Sequence, residues 1–141
     1  MKVGVTGTRE GMTSSQVFAF GGLECLDSIR EFHHGSCCGV DVGTARLVKG
    51  HLGDTVEIHR HPGPLDDPNQ EDSGVDTVIH EPKNHFARNR DIVDAVDLLI
   101  VVPREMERQE RGGTWYTMGY AEKKGKQIKV IWPDGTVESK P

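Results

Sequence analysis

The 141-residue chain carries 22 acidic and 17 basic side chains, which gives a formal net charge of -5 at neutral pH. This length suits a single α/β core of about five strands, and the acidic balance disfavours nucleic acid or an anionic membrane surface as a default partner. No apolar run approaches the ~20 residues of a membrane-spanning helix and no signal peptide is recognisable, so we expect a cytoplasmic protein.

The cysteines and histidines do not predict a metal site. Cys25, Cys37 and Cys38 have no CxxC spacing, which disfavours both a disulfide framework and a zinc site. The segment His59-Arg60-His61 could put two imidazoles on one side of an extended strand. Because no Asp, Glu or Cys stands at ligand spacing, we favour solvated loop histidines and predict neither a metal nor a cofactor.

In chain order, the first half alternates between short strands and helices. A β-branched strand at residues 2–6 runs into a glycine-containing loop, and Thr13-Ser14-Ser15-Gln16 has the capping-box spacing that begins a helix. The apolar stripe of that helix extends to Ile29 through the weakening pair Gly21-Gly22. A weak strand at residues 32–36, a helix that begins near residue 40 and ends at Gly50 or Gly53, and an alternating strand at residues 55–59 follow.

Residues 61–84 differ in composition from the rest of the chain. They contain four prolines and a cluster of Asp, Asn, Ser and Gly, which predicts a long surface loop with a short extended piece at residues 77–79. Ordered loops of this length are often functional, whereas the composition fits a loosely ordered acidic flap equally well. Both interpretations stay open.

Residues 85–96 predict a helix with positive charges at an unusual position. Arg88 and Arg90 lie in its first turns, where the helix dipole disfavours cations. A bound anion shared between the arginines and the helix terminus explains this placement best. In the alternative, Arg90 pairs with Asp94 and Arg88 is solvated. Asn89 lies among apolar neighbours and needs a hydrogen-bond partner.

Residues 97–132 predict one βαβ unit. The unbroken apolar run at residues 98–102 is typical of a central parallel strand, and residues 128–132 form the next strand. Between them, Gly112-Gly113-Thr114 stands at the N-terminus of a helix, where free backbone N–H groups can bind an anion. Residues 133–141 are assigned to a polar C-terminal tail.

Together these elements predict a three-layer α/β sandwich with a mostly parallel sheet of about five strands, formed by residues 1–132. Ligands in such sheets bind outside the carboxyl ends of the strands. The loops at residues 7–13, 35–41 and 103–114 lie there, and each contains glycine. With Arg9, Arg88 and Arg90 reaching the same edge, they predict a site for a phosphate or ribose-phosphate group.

The order of these motifs resembles a known family. Residues 5–9 (VTGTR), 34–41 (HGSCCGVD), 88–93 (RNRDIV) and 98–102 (LLIVV), followed by Gly113-Thr114, resemble the Rossmann-like domain of the DNA-processing protein A (Smf) family. That family belongs to the SLOG superfamily, with the LOG (lysine decarboxylase-like) cytokinin-activating hydrolases. The resemblance covers most of residues 2–132. It implies a Rossmann-like fold, nucleotide binding and a homodimer.

The resemblance to LOG hydrolases is incomplete at the catalytic position. Those enzymes cleave the N-glycosidic bond of a nucleoside monophosphate and carry a PGGxGTxxE-like motif, but here Gly119 stands where the glutamate is expected. In the deoxyribosyltransferase-like pattern Ala121 takes that place, and Glu122 comes one residue late. The cleavage needs a carboxylate near the anomeric carbon, which Glu10, Asp41, Asp91 or Glu122 could supply. Asp41 and Glu122 are the candidate catalytic residues. An N-cap role is favoured for Asp41.

We interpret the sequence first as a nucleotide-binding protein for a nucleoside phosphate, ADP-ribose or a related small molecule. The alternatives are a nucleoside 5′-monophosphate N-glycosidase with a displaced carboxylate, and single-stranded DNA binding as in Smf proteins, which the acidic charge disfavours. Trp115 and Tyr116 could stack on a base, although Trp115 also has core spacing. The predicted ligand-binding residues are Gly7, Thr8, Arg9, Gly35, Ser36, Gly39, Arg88, Asn89, Gly112, Gly113, Thr114 and Thr117.

Overall fold

The computed structural model describes residues 1–141 as a seven-stranded sheet with four α-helices. The strands are β1 (Lys2–Gly7), β2 (Glu31–His34), β3 (Glu57–Arg60), β4 (Val78–Ile79), β5 (Leu98–Val102), β6 (Gln127–Ile131) and β7 (Val137–Lys140). The helices are α1 (Ser14–Gly21), α2 (Val40–Leu52), α3 (His85–Ala95) and α4 (Gly113–Lys123). No helix is long and apolar enough to span a bilayer.

The strand order is β4-β3-β2-β1-β5-β6-β7, and every pair is parallel except β6 with β7. The sheet has two more strands than the predicted number of about five. β4 is the short extended piece predicted at residues 77–79, and its two residues are too few for a strand pattern. β7 is an exposed polar edge strand in the segment assigned to a tail. The chain reverses its direction of winding between β1 and β5, which makes this the topological switch point.

Two hydrophobic cores, one on each face of the sheet, confirm the three-layer α/β sandwich. The larger core includes Phe20 of α1 and Val48 of α2, and the smaller one includes Val93 of α3 and Met118 of α4. Side chains of β5 alternate between the two cores, with Ile100 in the larger. All five β5 residues are therefore buried, as its unbroken apolar run predicts.

The first helix begins as predicted but ends early. Its capping box is present, with the Thr13 hydroxyl accepting from the Gln16 N–H at 3.0 Å and the Gln16 side chain accepting from the Thr13 N–H at 2.9 Å. The predicted extension of the helix to Ile29 is wrong, because α1 ends at Gly21. Glycine weakens a helix, and the later apolar side chains enter the core from a short 3-10 turn instead.

The long loop at residues 61–84 is tied to the loop between β2 and α2. The Glu71 N–H donates to the Ser36 carbonyl and the Cys38 N–H donates to the Asn69 carbonyl, both at 2.8 Å. The Ser36 hydroxyl adds a bond to the Glu71 carbonyl at 2.9 Å. These bonds favour the ordered loop over the loosely ordered flap.

Candidate functional site

A cleft of about 1240 Å³ opens at the carboxyl ends of β1 and β5. Its walls come from the loop after β1, the loop between β5 and α4, and the first turns of α3 and α4, with Asp67 and Asn69 contributed by the long loop. This is the edge that the parallel topology predicts for a ligand. Of the predicted ligand-binding residues, Gly7, Thr8, Arg9, Arg88, Asn89, Gly112, Gly113 and Thr114 line the cleft.

The N-terminus of α4 presents unpaired backbone donors at this cleft. Gly112 is the N-cap, its φ is 112°, and no side chain caps the helix. The N–H groups of Gly113, Thr114 and Trp115 have no acceptor within the protein. Three free N–H groups and the positive end of the helix dipole together favour an anion here.

Two of the exposed arginines of the cleft have no carboxylate partner. Arg104 pairs with Glu10 at 3.0 Å, and Arg108 holds Glu122 through bonds of 2.6 and 3.0 Å. Arg9 and Arg111 are exposed and lie in none of the ion pairs of the chain. Among the exposed arginines of the cleft, the positive charge without an ion-pair partner therefore lies on Arg9 and Arg111.

Arg88 lines the cleft, but its guanidinium is already bonded within the protein. The side chain is buried and donates through Nη1 to the carbonyl oxygens of Gly35 and His61, the second at 3.3 Å. Its Nε donates to Asn89 Oδ1 at 2.7 Å, and Nη2 lies 3.3 Å from His85 Nδ1. The alternative of a solvated Arg88 is therefore wrong, and this side chain organises the wall of the cleft.

The hydrogen bond from Arg88 Nε also orients Asn89. Because its Oδ1 accepts from Arg88, the amide nitrogen Nδ2 faces the start of α4, where a Cβ added at Gly113 would lie 4.0 Å away. The Asn89 amide is therefore a further donor beside the free N–H groups. The predicted need of Asn89 for a partner is confirmed, since Arg88 supplies it.

Arg90 does not form the alternative pair with Asp94. Its Nη1 donates to the Tyr116 hydroxyl at 2.9 Å, whereas Asp94 accepts from the Tyr120 hydroxyl at 2.9 Å. Tyr116 also packs edge-on against Phe86, with ring centroids 4.6 Å apart. Phe86 is 55% exposed, so this aromatic pair presents a face at the cleft.

Trp115 is mainly a core residue, although one edge of it also lines the cleft. It is 5% exposed and lies in the smaller hydrophobic core, with its indole N–H directed to Glu105 Oε1 at 3.3 Å. Thr117 is also buried, and its hydroxyl donates to the Gly113 carbonyl at 2.7 Å. Thr117 thus supports the first turn of α4 without lining the cleft.

Three residues of the predicted glycine loop lie behind the cleft wall. Gly35 packs on the Arg88 guanidinium, and Ser36 is fully buried with a φ of 65°. Gly39 has a φ of 91°, and an added Cβ would lie 2.5 Å from the carbonyl carbon of Arg9. They shape the loop that carries the cleft residues, and the structure does not bring them to the cleft surface.

Of the two predicted catalytic carboxylates, only Asp41 lines the cleft. Its Oδ2 accepts the N–H groups of Gly35 at 3.1 Å and Cys37 at 3.3 Å. Burial raises the pKa of Asp41, while His34 and Arg88 oppose that shift. The N-cap of α2 is Gly39, so the favoured N-cap role of Asp41 is wrong.

Glu122 lies outside the cleft. The hydrogen-bonded partner Arg108 lowers the pKa of Glu122, which keeps the carboxylate ionised and engaged in its ion pair. Several residues that do line the cleft escaped the sequence analysis, among them Phe86, Asn69 and Arg111. The charged loop before Gly112 was the available signal for Arg111.

The expectation of solvated histidines at His59 and His61 is wrong. His59 lies in β3 and is 9% exposed, and His61 follows that strand and is 5% exposed. Both face other imidazoles rather than solvent.

Two solved structures share this fold. DNA processing protein A (DprA) from Streptococcus pneumoniae superposes with a TM-score of 0.67 at 17% identity, over 92% of this chain and 50% of that one. The structural-genomics target TM1055 superposes with a TM-score of 0.56 at 14% identity, over 90% of this chain and 71% of that one. The present chain thus spans half the length of the DprA structure. No protein-family model and no curated protein sequence matches it.

These likenesses confirm the Rossmann-like fold of the DprA type that the motifs predicted. At such low identity they bear on architecture alone, so function must be argued from the site itself.

Proposed function

We propose that this protein binds a nucleoside phosphate or an ADP-ribose-like nucleotide in the cleft between β1 and β5. The observation that carries the proposal is the set of unpaired N–H groups at Gly113, Thr114 and Trp115. A phosphate at this point accepts several backbone hydrogen bonds and lies at the positive end of α4. Arg9 and Arg111 supply the positive charge from the two flanking loops.

The dimensions and the aromatic lining of the cleft suit the rest of a nucleotide. Its volume of about 1240 Å³ exceeds the roughly 300–1,000 Å³ of ordinary small-molecule pockets, which leaves room for a base, a ribose and more than one phosphate. Phe86 and Tyr116 stand on one wall, where a base can stack on the exposed ring. The Asn89 amide is directed toward the phosphate end.

A calorimetric and thermal-shift comparison of nucleosides with their mono-, di- and triphosphates, ADP-ribose and cyclic nucleotides tests this proposal. We expect phosphate-bearing ligands to bind and stabilise the protein, and the matching nucleosides to bind much more weakly. Arg111→Ala should weaken binding roughly 10- to 150-fold, since one charge-assisted hydrogen bond contributes roughly 1.5–3 kcal/mol. Lys123→Ala, at the opposite end of α4, is the matched control and should leave affinity unchanged.

A flat response to the whole panel would overturn the proposal. Equal binding of nucleosides and nucleotides would refute the phosphate site at α4. A single-stranded oligonucleotide in the same panel separates DNA binding from nucleotide binding, because DNA binding predicts a steep loss of affinity with salt. Sedimentation of the same samples measures the homodimer that the resemblance implies.

One observation favours N-glycosidic cleavage as a second candidate: Asp41 is a buried carboxylate at the cleft. Such a group can stabilise positive charge on the anomeric carbon while water displaces the base. Chromatographic detection of free base from nucleoside monophosphates tests this activity. We expect release by the wild type and none by Asp41→Asn, with Glu122→Gln as a control that retains activity. If the wild type releases no free base, N-glycosidic cleavage is refuted.

A further inference from the structure

Four imidazoles lie together on one face of the sheet, away from the larger core. His33 comes from β2, His59 from β3, His61 directly follows β3, and His80 directly follows β4. Residues two apart in a strand point to the same face, so His59 and His61 project on one side. Parallel registry then sets His33 beside His59. The four histidines define what we call the histidine cluster.

The rings of the histidine cluster are in direct contact. His33 Nδ1 lies 2.8 Å from His61 Nε2, and His59 Nδ1 lies 2.9 Å from His80 Nε2. The ring centroids of His61 and His80 are 4.1 Å apart, with the ring planes 7° from parallel. Each short nitrogen contact requires one ring nitrogen that carries no proton, and such a nitrogen can coordinate a metal once the facing N–H turns away.

Glutamates hold the far side of two of these rings. Glu31 Oε1 lies 3.0 Å from His33 Nε2, and Glu57 Oε1 lies 3.1 Å from His59 Nε2. A carboxylate in this position accepts a hydrogen bond from the ring N–H and leaves the opposite ring nitrogen with its lone pair directed inward. Histidines that bind metals are almost always oriented in this way.

The cluster combines a buried interior with an open side. Burial lowers the pKa of His33 to about 4 and that of His61 to about 2, so both rings are neutral near neutral pH. Neutral imidazole is the form that coordinates metals. His80 is exposed, so this ring forms the open side of the cluster.

We propose that His33, His61 and His80 bind one divalent transition-metal ion of the Zn²⁺ class, with His59 as the neighbour that orients His80. One ring nitrogen from each of these three residues lies within 4.8 Å of the other two. Zn–N bonds of 2.0–2.1 Å in tetrahedral geometry separate the ligand nitrogens by about 3.3 Å. The His33 Nδ1–His61 Nε2 pair at 2.8 Å would therefore open by about half an ångström on binding, and the stacked rings of His61 and His80 would turn so that their lone pairs converge on the ion.

The donor set also decides the kind of ion. Three nitrogen ligands favour Zn²⁺, Co²⁺, Ni²⁺ or Cu²⁺ over Mg²⁺ and Ca²⁺, which prefer oxygen. The fourth position of a tetrahedral ion would face the open side, next to the exposed His80. The site is separate from the nucleotide cleft, although the His61 carbonyl accepts from Arg88 at the boundary between them.

Metal titration of tag-free protein, first stripped with EDTA, tests the proposal. We expect calorimetry to show one Zn²⁺ per chain, and Co²⁺ to give the visible absorption of a tetrahedral ion. His80→Gln removes an exposed ligand without disturbing the core and should lower affinity at least 100-fold. Glu31→Gln should lower it 10–100-fold, as for other residues that orient metal-binding histidines. His51→Gln, an exposed histidine outside the cluster, is the control that retains full affinity.

Wild-type binding no tighter than that of His80→Gln would overturn the proposal. Loss of binding in His51→Gln, or a preference for Mg²⁺ over Zn²⁺, would do the same. Imidazole NMR resonances give a readout independent of affinity, because Zn²⁺ should shift the rings of His33, His61 and His80 and leave His51 unchanged. None of these measurements requires a nucleotide. A negative result would therefore refute the metal site without bearing on the proposed nucleotide cleft.

Discussion

Replacing Arg88 by alanine tests how the cleft wall is built. The substitution removes a buried guanidinium and leaves the carbonyl oxygens of Gly35 and His61 without this donor. A buried polar group without a partner costs about 1–3 kcal/mol, so we expect Arg88→Ala to lower the free energy of unfolding by roughly 2–6 kcal/mol. Asn89 also loses the bond that orients its amide, and nucleotide affinity should fall with stability.

Equilibrium unfolding in urea measures the first effect, and nucleotide titration of the folded variant measures the second. Arg30→Ala is the matched control, because Arg30 also donates to two backbone carbonyls, at 3.1 and 3.0 Å, but lies at the exposed surface. We expect it to cost less than about 1 kcal/mol, since water replaces the lost donor. Arg88→Lys keeps the charge without the forked geometry, and its stability should lie between alanine and arginine.

Equal destabilisation by Arg88→Ala and Arg30→Ala would show that the buried guanidinium does not hold the cleft wall together. If nucleotide affinity still dropped in that case, Arg88 would contact the ligand directly, as the charge pattern of α3 first suggested. A large loss of stability with an unchanged affinity would instead show that Asn89 takes no part in binding.

Two further predictions concern stability: one tests close packing at Gly39, and the other tests the pH dependence that His33 causes. Gly39→Ala should destabilise the fold by on the order of 2–3 kcal/mol in urea unfolding, because Gly39 has a φ of 91° and an added Cβ meets the Arg9 backbone at 2.5 Å. Gly43→Ala, in the same helix with open space around it, should be neutral or stabilising, and an equal loss in both variants would refute the packing argument. In metal-free protein, His33 contributes stability that is complete above its ordinary pKa of 6.5 and is lost as the pH falls through about 4, on the order of 3 kcal/mol in all. His33→Gln should flatten this dependence of the urea midpoint on pH, and an unchanged slope would contradict it.

The elements that the sequence predicted well are those whose causes are local. The capping box at Thr13 and Gln16 needs only residues three apart, and the apolar run of β5 reports burial on both faces of a sheet. The glycine pair before α4 was recognised for the same reason, because a helix N-terminus without a side-chain cap leaves its own N–H groups free. The alternation of these elements was sufficient for the α/β fold.

The candidate site was predicted only in part, because its details depend on residues far apart in the chain. Arg88 was correctly linked to the cleft, yet its partners Gly35 and His61 come from two other loops. The family resemblance made Asp41 and Glu122 candidate carboxylates, but only the fold placed one at the cleft and the other in an ion pair.

The histidine cluster separates most clearly what the sequence determines from what the tertiary structure decides. The sequence by itself determined that His59 and His61 share one side of a strand, and it provided no local reason to associate them with His33 or His80. Their contact depends on the parallel registry of β2 with β3 and of β3 with β4, which is set by hydrogen bonds between segments about 20 or more residues apart. Side-chain periodicity is a property of the chain, whereas the meeting of side chains from different strands is decided by the tertiary structure.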